Sequence, residues 1–452
     1  MVTPVFRIDQ DDNMLYIIMI VKYAKISNAE FEILDNNFRF YLKPYSLNLT
    51  FSGKLKETGE ENKSEYDIEK HQLKCQIEKM TKGEHFENLD MVTSLLSKMP
   101  APREDLNEEE KQEILKTATD HNRPLVEVIS STNNDEEMEM EEVKGPVPTM
   151  EDMDFKLIKK YTYGFNNLYQ EVFTHRQEEL HEFAEIDPEK IPIEERLDKM
   201  HAMDKEKFDD ERYVADTYEV NKEEVKEIID QEHPYEVYLA VDELEDVTKR
   251  LENMTLNSED QILTNKEIEE CLKLRNREYL IDKSSPNLPM QCIEILYAYL
   301  YDFRANRFGD SCESPWTISK LSGALSYFVD YNGYKIADIM KICFRKALIY
   351  PLYRNFDLCR VVQQDLVNVL RIGKKLIVKI FLQIKSMNER RECGFLLNKI
   401  FINDFIVWIQ QVNDVHIAHI LKEIESLEVS KTDLDLGLEE IDKFVAEHVD
   451  YQ

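Results

Sequence analysis

The negative charge of this chain is concentrated in its middle. The formal net charge is −33 over 452 residues. Residues 57–279 hold about −32 of it, while residues 1–56 come to about +1, residues 280–425 to about +4 and residues 426–452 to about −6. Like charges at that density oppose compaction, whereas the two nearly neutral regions are also the most apolar. The partition predicts two packable units joined and flanked by strongly solvated segments. A chain of this length exceeds what a single hydrophobic core usually organises, which agrees. The break is sharpest at Asp135-Glu136-Glu137-Met138-Glu139-Met140-Glu141-Glu142, followed by the helix-breaking Gly145-Pro146-Val147-Pro148.

Residues 4–80 read as short strands. Leu15, Ile17, Met19 and Val21 alternate with Tyr16, Ile18 and Ile20; Phe38, Phe40 and Leu42 alternate with Arg39, Tyr41 and Lys43; Leu47, Leu49 and Phe51 alternate with Asn48 and Thr50. Asn36-Asn37, Lys43-Pro44 and Ser52-Gly53 separate these runs, so the spacing predicts a β-sandwich. Beyond the acidic segment the period changes. Phe155, Ile158 and Tyr161, then Leu168, Val172 and Phe173, recur at three or four residues. Residues 176–275 read as charged helices on the outside of the second unit. Its core is expected from Cys292, Ile295, Leu296, Tyr299, Leu300 and Phe303, from a stripe running Val362, Leu366, Val369, Leu376, Ile377, Ile380, Phe381, Ile384, and from Leu397, Ile400, Phe401, Phe405 and Trp408. The expected fold is therefore multi-domain, an all-β sandwich over residues 1–90, an acidic linker over 91–154, an all-α unit over 155–425 and an acidic tail over 426–452.

The motifs of catalysis are incomplete wherever they begin. His416 and His419 have metal-binding spacing but no neighbouring cysteine or carboxylate cluster. His181-Glu182 is followed by Glu185 where a zinc protease needs its second histidine. Gly373-Lys374-Lys375 lacks the glycine of a phosphate loop at Asn368 and its hydroxyl at Lys375. Ser311-Cys312-Glu313-Ser314 has no flanking glycines to shape a nucleophile elbow, and Cys312 is read as structural. No cofactor or metal is expected, and the chain reads as a binding protein and not an enzyme. Seven scattered cysteines, an odd number set mostly in apolar runs, predict reduced thiols in a cytosolic or nuclear protein. No signal peptide is evident at the N-terminus. The longest apolar runs, Leu376–Leu382 and Phe395–Ile409, fall short of a membrane span.

What remains is surface chemistry. Tyr297 to Lys320 combines a high density of aromatics with a loop carrying glycine, proline, charges and Trp316, the composition of interface hot spots. The same composition suits a helical corner whose Trp316 plugs the core, and the sequence leaves both open. Arg345-Lys346 and Ile349 to Asp357 again join cations and aromatics at a proline break. Arg371, Lys374, Lys375 and Lys379 fall on roughly one helical face, the one feature that would suit an RNA-binding module.

At these residues the chain resembles a known family. Glu294 to Asp302 with Glu313-Ser314-Pro315-Trp316-Thr317-Ile318-Ser319-Lys320-Leu321, Tyr350-Pro351-Leu352-Tyr353-Arg354-Asn355-Phe356-Asp357-Leu358, Gly373-Lys374-Lys375, and Asn403-Asp404-Phe405 with Trp408-Ile409-Gln410 are similar, in order and spacing, to the Shq family of box H/ACA ribonucleoprotein assembly chaperones. Lys207 to Asp216 and Tyr163-Gly164-Phe165 resemble that family's entry into its helical domain. Thr3 to Gln10, Lys43 to Phe51 and Lys82 to Asp90 resemble its N-terminal CS domain, the sandwich shared with heat-shock co-chaperones.

The resemblance implies a chaperone, monomeric on its own, of the nucleus (nucleoplasm) and cytoplasm. Its helical domain would hold a dyskerin-type pseudouridine synthase before RNA arrives, covering the RNA-binding PUA region and keeping the enzyme soluble and off other RNAs. Neither direct nucleic-acid binding nor a membrane is implied. The residues expected to touch the partner are Tyr301, Asp302, Asp310, Glu313, Trp316, Lys320, Arg345, Tyr350 and Arg354, with Asp302, Asp310 and Glu313 standing in for phosphates and Tyr301 and Trp316 for bases. The alternative is a general CS-domain co-chaperone of the ninety-kilodalton heat-shock protein. It would favour a helical domain of 34-residue repeats, and none is found.

Overall fold

The computed structural model describes residues 3–21, 29–43, 45–57, 62–67, 71–86, 89, 91, 95–96, 161–219, 221–241, 262–274, 287–350 and 352–449. The acidic linker read at 91–154 lies outside them except for residues 91, 95 and 96, as does the first part of the helical period at Phe155 and Ile158.

The N-terminal region folds into two antiparallel sheets built from β1 (Phe6–Gln10), β2 (Met14–Ile20), β3 (Glu30–Leu34), β4 (Asn37–Leu42), β5 (Tyr45–Thr50), β6 (Lys63–Asp67) and β7 (Gln72–Glu78). One sheet has the order β1-β2-β7-β6 and the other β3-β4-β5. Register follows the alternation in the sequence. Leu15, Ile17 and Met19 stand opposite Ile77, Cys75 and Leu73, while Phe38 and Phe40 stand opposite Leu49 and Leu47, all buried. Both faces of β2 are apolar, and Ile18 on the second face is buried as well. Asp35, at φ 50°, closes the two-residue turn between β3 and β4. Gly53 is required by its neighbour, because a Cβ there would lie 2.1 Å from the Phe86 ring. The sandwich extends past residue 90, since Leu95 is buried and Leu96 forms a bridge to Leu49.

The C-terminal region is helical. Its longer helices are α1 (Arg196–Lys207), α2 (Asp210–Tyr218), α3 (Lys222–Asp230), α4 (Asn265–Lys273), α5 (Asn287–Ala305), α6 (Ser314–Leu321), α7 (Ile336–Ile349), α8 (Phe356–Ile372), α9 (Lys374–Glu389), α10 (Asn403–Gln411), α11 (Asp414–Glu425) and α12 (Leu438–Val449). α5 is buried on almost all sides, so the single apolar stripe expected there is one part of a fully enclosed central helix. The stripe from Val362 to Ile384 is split between α8 and α9 by Gly373, which sits at φ 99° where a side chain would be strained.

Three expectations are corrected. Tyr161 to Phe173 is not an α-helix: Tyr163 and Tyr169 form a bridge, Asn166, Asn167 and Glu171 have positive φ, and Leu168 points outward. The charged stretch 176–275 is not merely an outer layer. It sends Arg196, Asp204, Met200 and Tyr213 into the interior, where the Arg196 guanidinium donates to the carbonyls of Ile191, Thr162, Phe328 and Pro188. The acidic tail is likewise folded. Leu434 and Leu438 are buried, Asp442 accepts from Tyr213 (3.2 Å), Tyr218 (2.8 Å) and Lys431 (2.5 Å), and Arg345 of α7 donates to the Leu434 carbonyl. Apolar side chains spaced among the acids make this segment part of the core despite its charge.

Candidate partner-binding surface

The loop between α5 and α6 is built to present Trp316. Arg307 and Phe308 have φ of 53° and 63°, turning the chain sharply after α5. Phe308 folds back onto Phe303 (5.5 Å between ring centres) and His233 (5.1 Å), with the Arg304 guanidinium 5.3 Å from its ring. Ser311 N–H donates to Ser314 Oγ at 2.9 Å, and Glu313 N–H to Ser311 Oγ at 3.2 Å. Pro315 then stands in the first turn of α6, where its missing N–H leaves nothing unpaired. Asp302 lies beneath this loop and accepts from the Asn306 amide at 3.0 Å. Its burial pushes the carboxyl pKa up to about 6, with hydrogen bonds from Ser314 and Asn306 pulling the other way. On this base Trp316 emerges 38% exposed.

One paired charge, Lys320, lies over the indole. The Lys320 nitrogen lies 5.9 Å from the Trp316 ring and 2.7 Å from Glu185 Oε1, and Lys207 of α1 reaches Glu185 Oε2 at 2.7 Å. Asp310 pairs with Arg390, and Arg391 donates to the Glu182 carbonyl and lies 3.5 Å from its carboxylate. Glu313 and Cys312 are exposed on the loop itself, so Cys312 is not packed as expected. The other six cysteines are buried free thiols. Glu185, Lys207 and Arg390 carry no signal in the sequence, where abundant charges make any one pair uninformative.

The fold therefore sorts the nine expected contact residues. Trp316 and Lys320 meet at this surface, Lys320 with its side chain largely enclosed, while Asp310 and Glu313 are exposed on the loop that leads to it. Asp302 lies beneath them as a support. Tyr301 is buried and donates to the Tyr353 carbonyl. Arg354 is buried, with its N–H 2.7 Å from Asp216 Oδ2 and its guanidinium 3.2 Å from the Ile349 carbonyl. Arg345 is buried against Leu434, and the Tyr350 hydroxyl turns inward to Asp204 (3.2 Å) and Tyr327 (3.1 Å). These four hold the domain together and present no charge or hydroxyl at the Trp316 surface. Burial also removes Tyr301 and Asp302 from the set expected to imitate bases and phosphates.

The basic group expected on one helical face is dispersed by Gly373. Arg371 pairs with Glu425 (2.7 Å), Lys374 is buried and donates to the Val412 carbonyl (3.0 Å), and Lys379 donates to the Ile262 carbonyl (2.7 Å). His416 and His419 are exposed on α11, with His419 3.3 Å from Glu423. Among the described residues, no three His, Cys, Asp or Glu side chains are grouped to hold a metal ion, and no helix is long and apolar enough to cross a membrane.

A small antiparallel sandwich and a helical domain built round a buried central helix define the class of chain, an all-β module and an all-α module in one polypeptide. The family described as SHQ1-like, CS domain matches residues 3–96, and that described as SHQ1 protein, Shq1 domain matches residues 252–438. Protein SHQ1 homolog of Xenopus tropicalis is 33% identical over 98% of this chain and 69% of its own length. Protein shq1 of Schizosaccharomyces pombe is 29% identical over 99% of this chain and 97% of its own, and the Caenorhabditis elegans homolog 30% identical over 97% and 95%. The chain belongs to the SHQ1 family, and is a Shq1-type assembly factor.

Proposed function

We propose that this protein is an assembly chaperone for box H/ACA ribonucleoproteins, acting in the nucleoplasm and cytoplasm. Its helical domain holds a dyskerin-type pseudouridine synthase before RNA loading and occupies the enzyme's RNA-binding surface. A basic surface without its RNA attracts any polyanion in proportion to the counterions released, so a protein clamp that excludes them meets a physical need. The observation that carries the reading is the exposed Trp316, three residues after the exposed Glu313. Aromatic anchors of this kind dominate protein interfaces, and a carboxylate beside one suits an arginine-bearing partner. Asp310 contributes by exchanging Arg390 for a cation of the partner. The chain binds no RNA in this mechanism, consistent with the internal pairing of Arg371, Lys374 and Lys379.

A competition titration tests it. Guide RNA bound to the synthase is challenged with increasing amounts of the full chain. Mutual exclusion, without RNA binding by the chain at physiological salt, is the expected result. A stable ternary complex with correctly seated guide RNA would overturn the reading.

A further inference from the structure

We propose that Glu185 is the positioning residue of the Trp316 surface, holding Lys320 toward the indole while Lys207 anchors it to the end of α1. The proposal rests on the reading of this surface as the partner's binding site. Glu185 is fixed at its backbone, where its N–H donates to the Ser326 carbonyl at 2.8 Å. Its two carboxylate oxygens are divided between two helices: Oε1 takes Lys320 of α6 and Oε2 takes Lys207 of α1, each at 2.7 Å. The Lys320 and Glu185 side chains are 9% and 14% exposed, so the pair is largely shielded from water and from salt. Lys320 stands one helical turn after Trp316, with its ammonium held toward the indole. Without the Glu185 charge the ammonium is released to water, and the indole loses the cation that restricts it.

The second oxygen supplies that anchor. Lys207 ends α1, lies 5.1 Å from the Tyr350 ring and shares that helix with Asp204, which accepts from the Tyr350 hydroxyl at 3.2 Å. α1, fixed in the interior by Asp204, thereby supplies the second cation to Glu185. Glu185 is linked to the indole through Lys320, and Lys207 through Glu185.

The experiment uses the full chain carrying Trp408→Phe, which leaves Trp316 as the single tryptophan of the sequence. Quenching of its fluorescence by acrylamide, a neutral quencher, and affinity for the pseudouridine synthase are measured together. Glu185→Gln is expected to raise the quenching constant roughly twofold and weaken the synthase roughly tenfold. Glu185→Asp, which keeps the charge, should restore part of both. Lys320→Met removes the cation itself and should move both readouts in the same direction by roughly threefold, and it decides the matter where Glu185→Gln does not fold. Unchanged quenching in folded Glu185→Gln, or in Lys320→Met, would overturn the proposal. Raised quenching with unchanged synthase affinity would uphold the positioning role and instead remove this surface from the partner's binding site.

Discussion

Lys346 of α7 and Asp204 of α1 meet at 3.0 Å with side chains 0% and 1% exposed, an ion pair sealed inside the helical domain. The Lys346 ammonium also lies 4.2 Å from the Tyr327 ring and 4.7 Å from that of Tyr350. Burial draws its pKa below the usual lysine value, with Asp204 opposing. Breaking such a pair from one side strands a buried charge, whereas removing both charges does not. Asp204→Ala is therefore expected to lower unfolding free energy by about 3–5 kcal/mol, and Asp204→Leu with Lys346→Met by much less. Denaturant midpoints for the single and double variants check this, and additive effects would show that the two charges are not coupled.

Trp316 is too exposed to plug a core. Trp316→Ala should weaken synthase binding by about 2 kcal/mol or more while leaving the melting temperature nearly unchanged. A sharp fall in melting temperature with unaltered affinity would return the side chain to a packing role.

Asp302 makes stability depend on pH in a stated direction. Its carboxyl ordinarily titrates at 3.8 and is raised by burial to about 6. Between those values the folded state binds more protons than the unfolded state, so this group's contribution falls as pH rises through the window. Above it, the ionised form costs the fold about 1–3 kcal/mol. Asp302→Asn should be more stable than the parent chain at pH 7.5, with the difference shrinking toward pH 5. Urea titrations at the two values measure it, and a difference that grows on acidification would contradict the assignment.

The C-terminal segment should behave as core. Leu434 is completely buried, and Leu434→Ala is expected to destabilise by about 2–5 kcal/mol. A solvated tail would tolerate the change, so a melting curve that overlays the parent's would remove this segment from the fold.

Gly323 shows how much of the site's support was invisible beforehand. It packs so closely that a Cβ would lie 2.6 Å from Met200 Sδ and 2.9 Å from the Tyr331 hydroxyl. Its N–H donates to Glu294 at 2.7 Å, beside bonds to the same carboxylate from Ala324 N–H (2.9 Å), the Ser322 hydroxyl (3.1 Å) and the Tyr331 hydroxyl (2.7 Å). Glu294 was legible as a position on an apolar helix, but not as the buried acceptor that holds the turn after α6. Its four donors come from residues 28 to 37 positions away, beyond the reach of any helical period.

The alternation of Leu15, Ile17 and Met19, and the three-and-four spacing of Leu376, Ile380 and Ile384, determined a sandwich and a helical domain, because side-chain direction in a strand or helix repeats over a few residues. Exposure has no such local rule. Trp316 and Tyr301, or Glu313 and Asp302, are chemically similar and close in sequence, yet one of each pair reaches solvent while the other is covered. Distant segments set that outcome: Asp216, 138 positions away, accepts from the Arg354 backbone N–H and lies 3.7 Å from its guanidinium, and Asp204 captures Lys346 from 142. Tertiary structure alone decided which charges face a partner, since a charge that finds a buried counter-ion is held inside and one that does not stays with water.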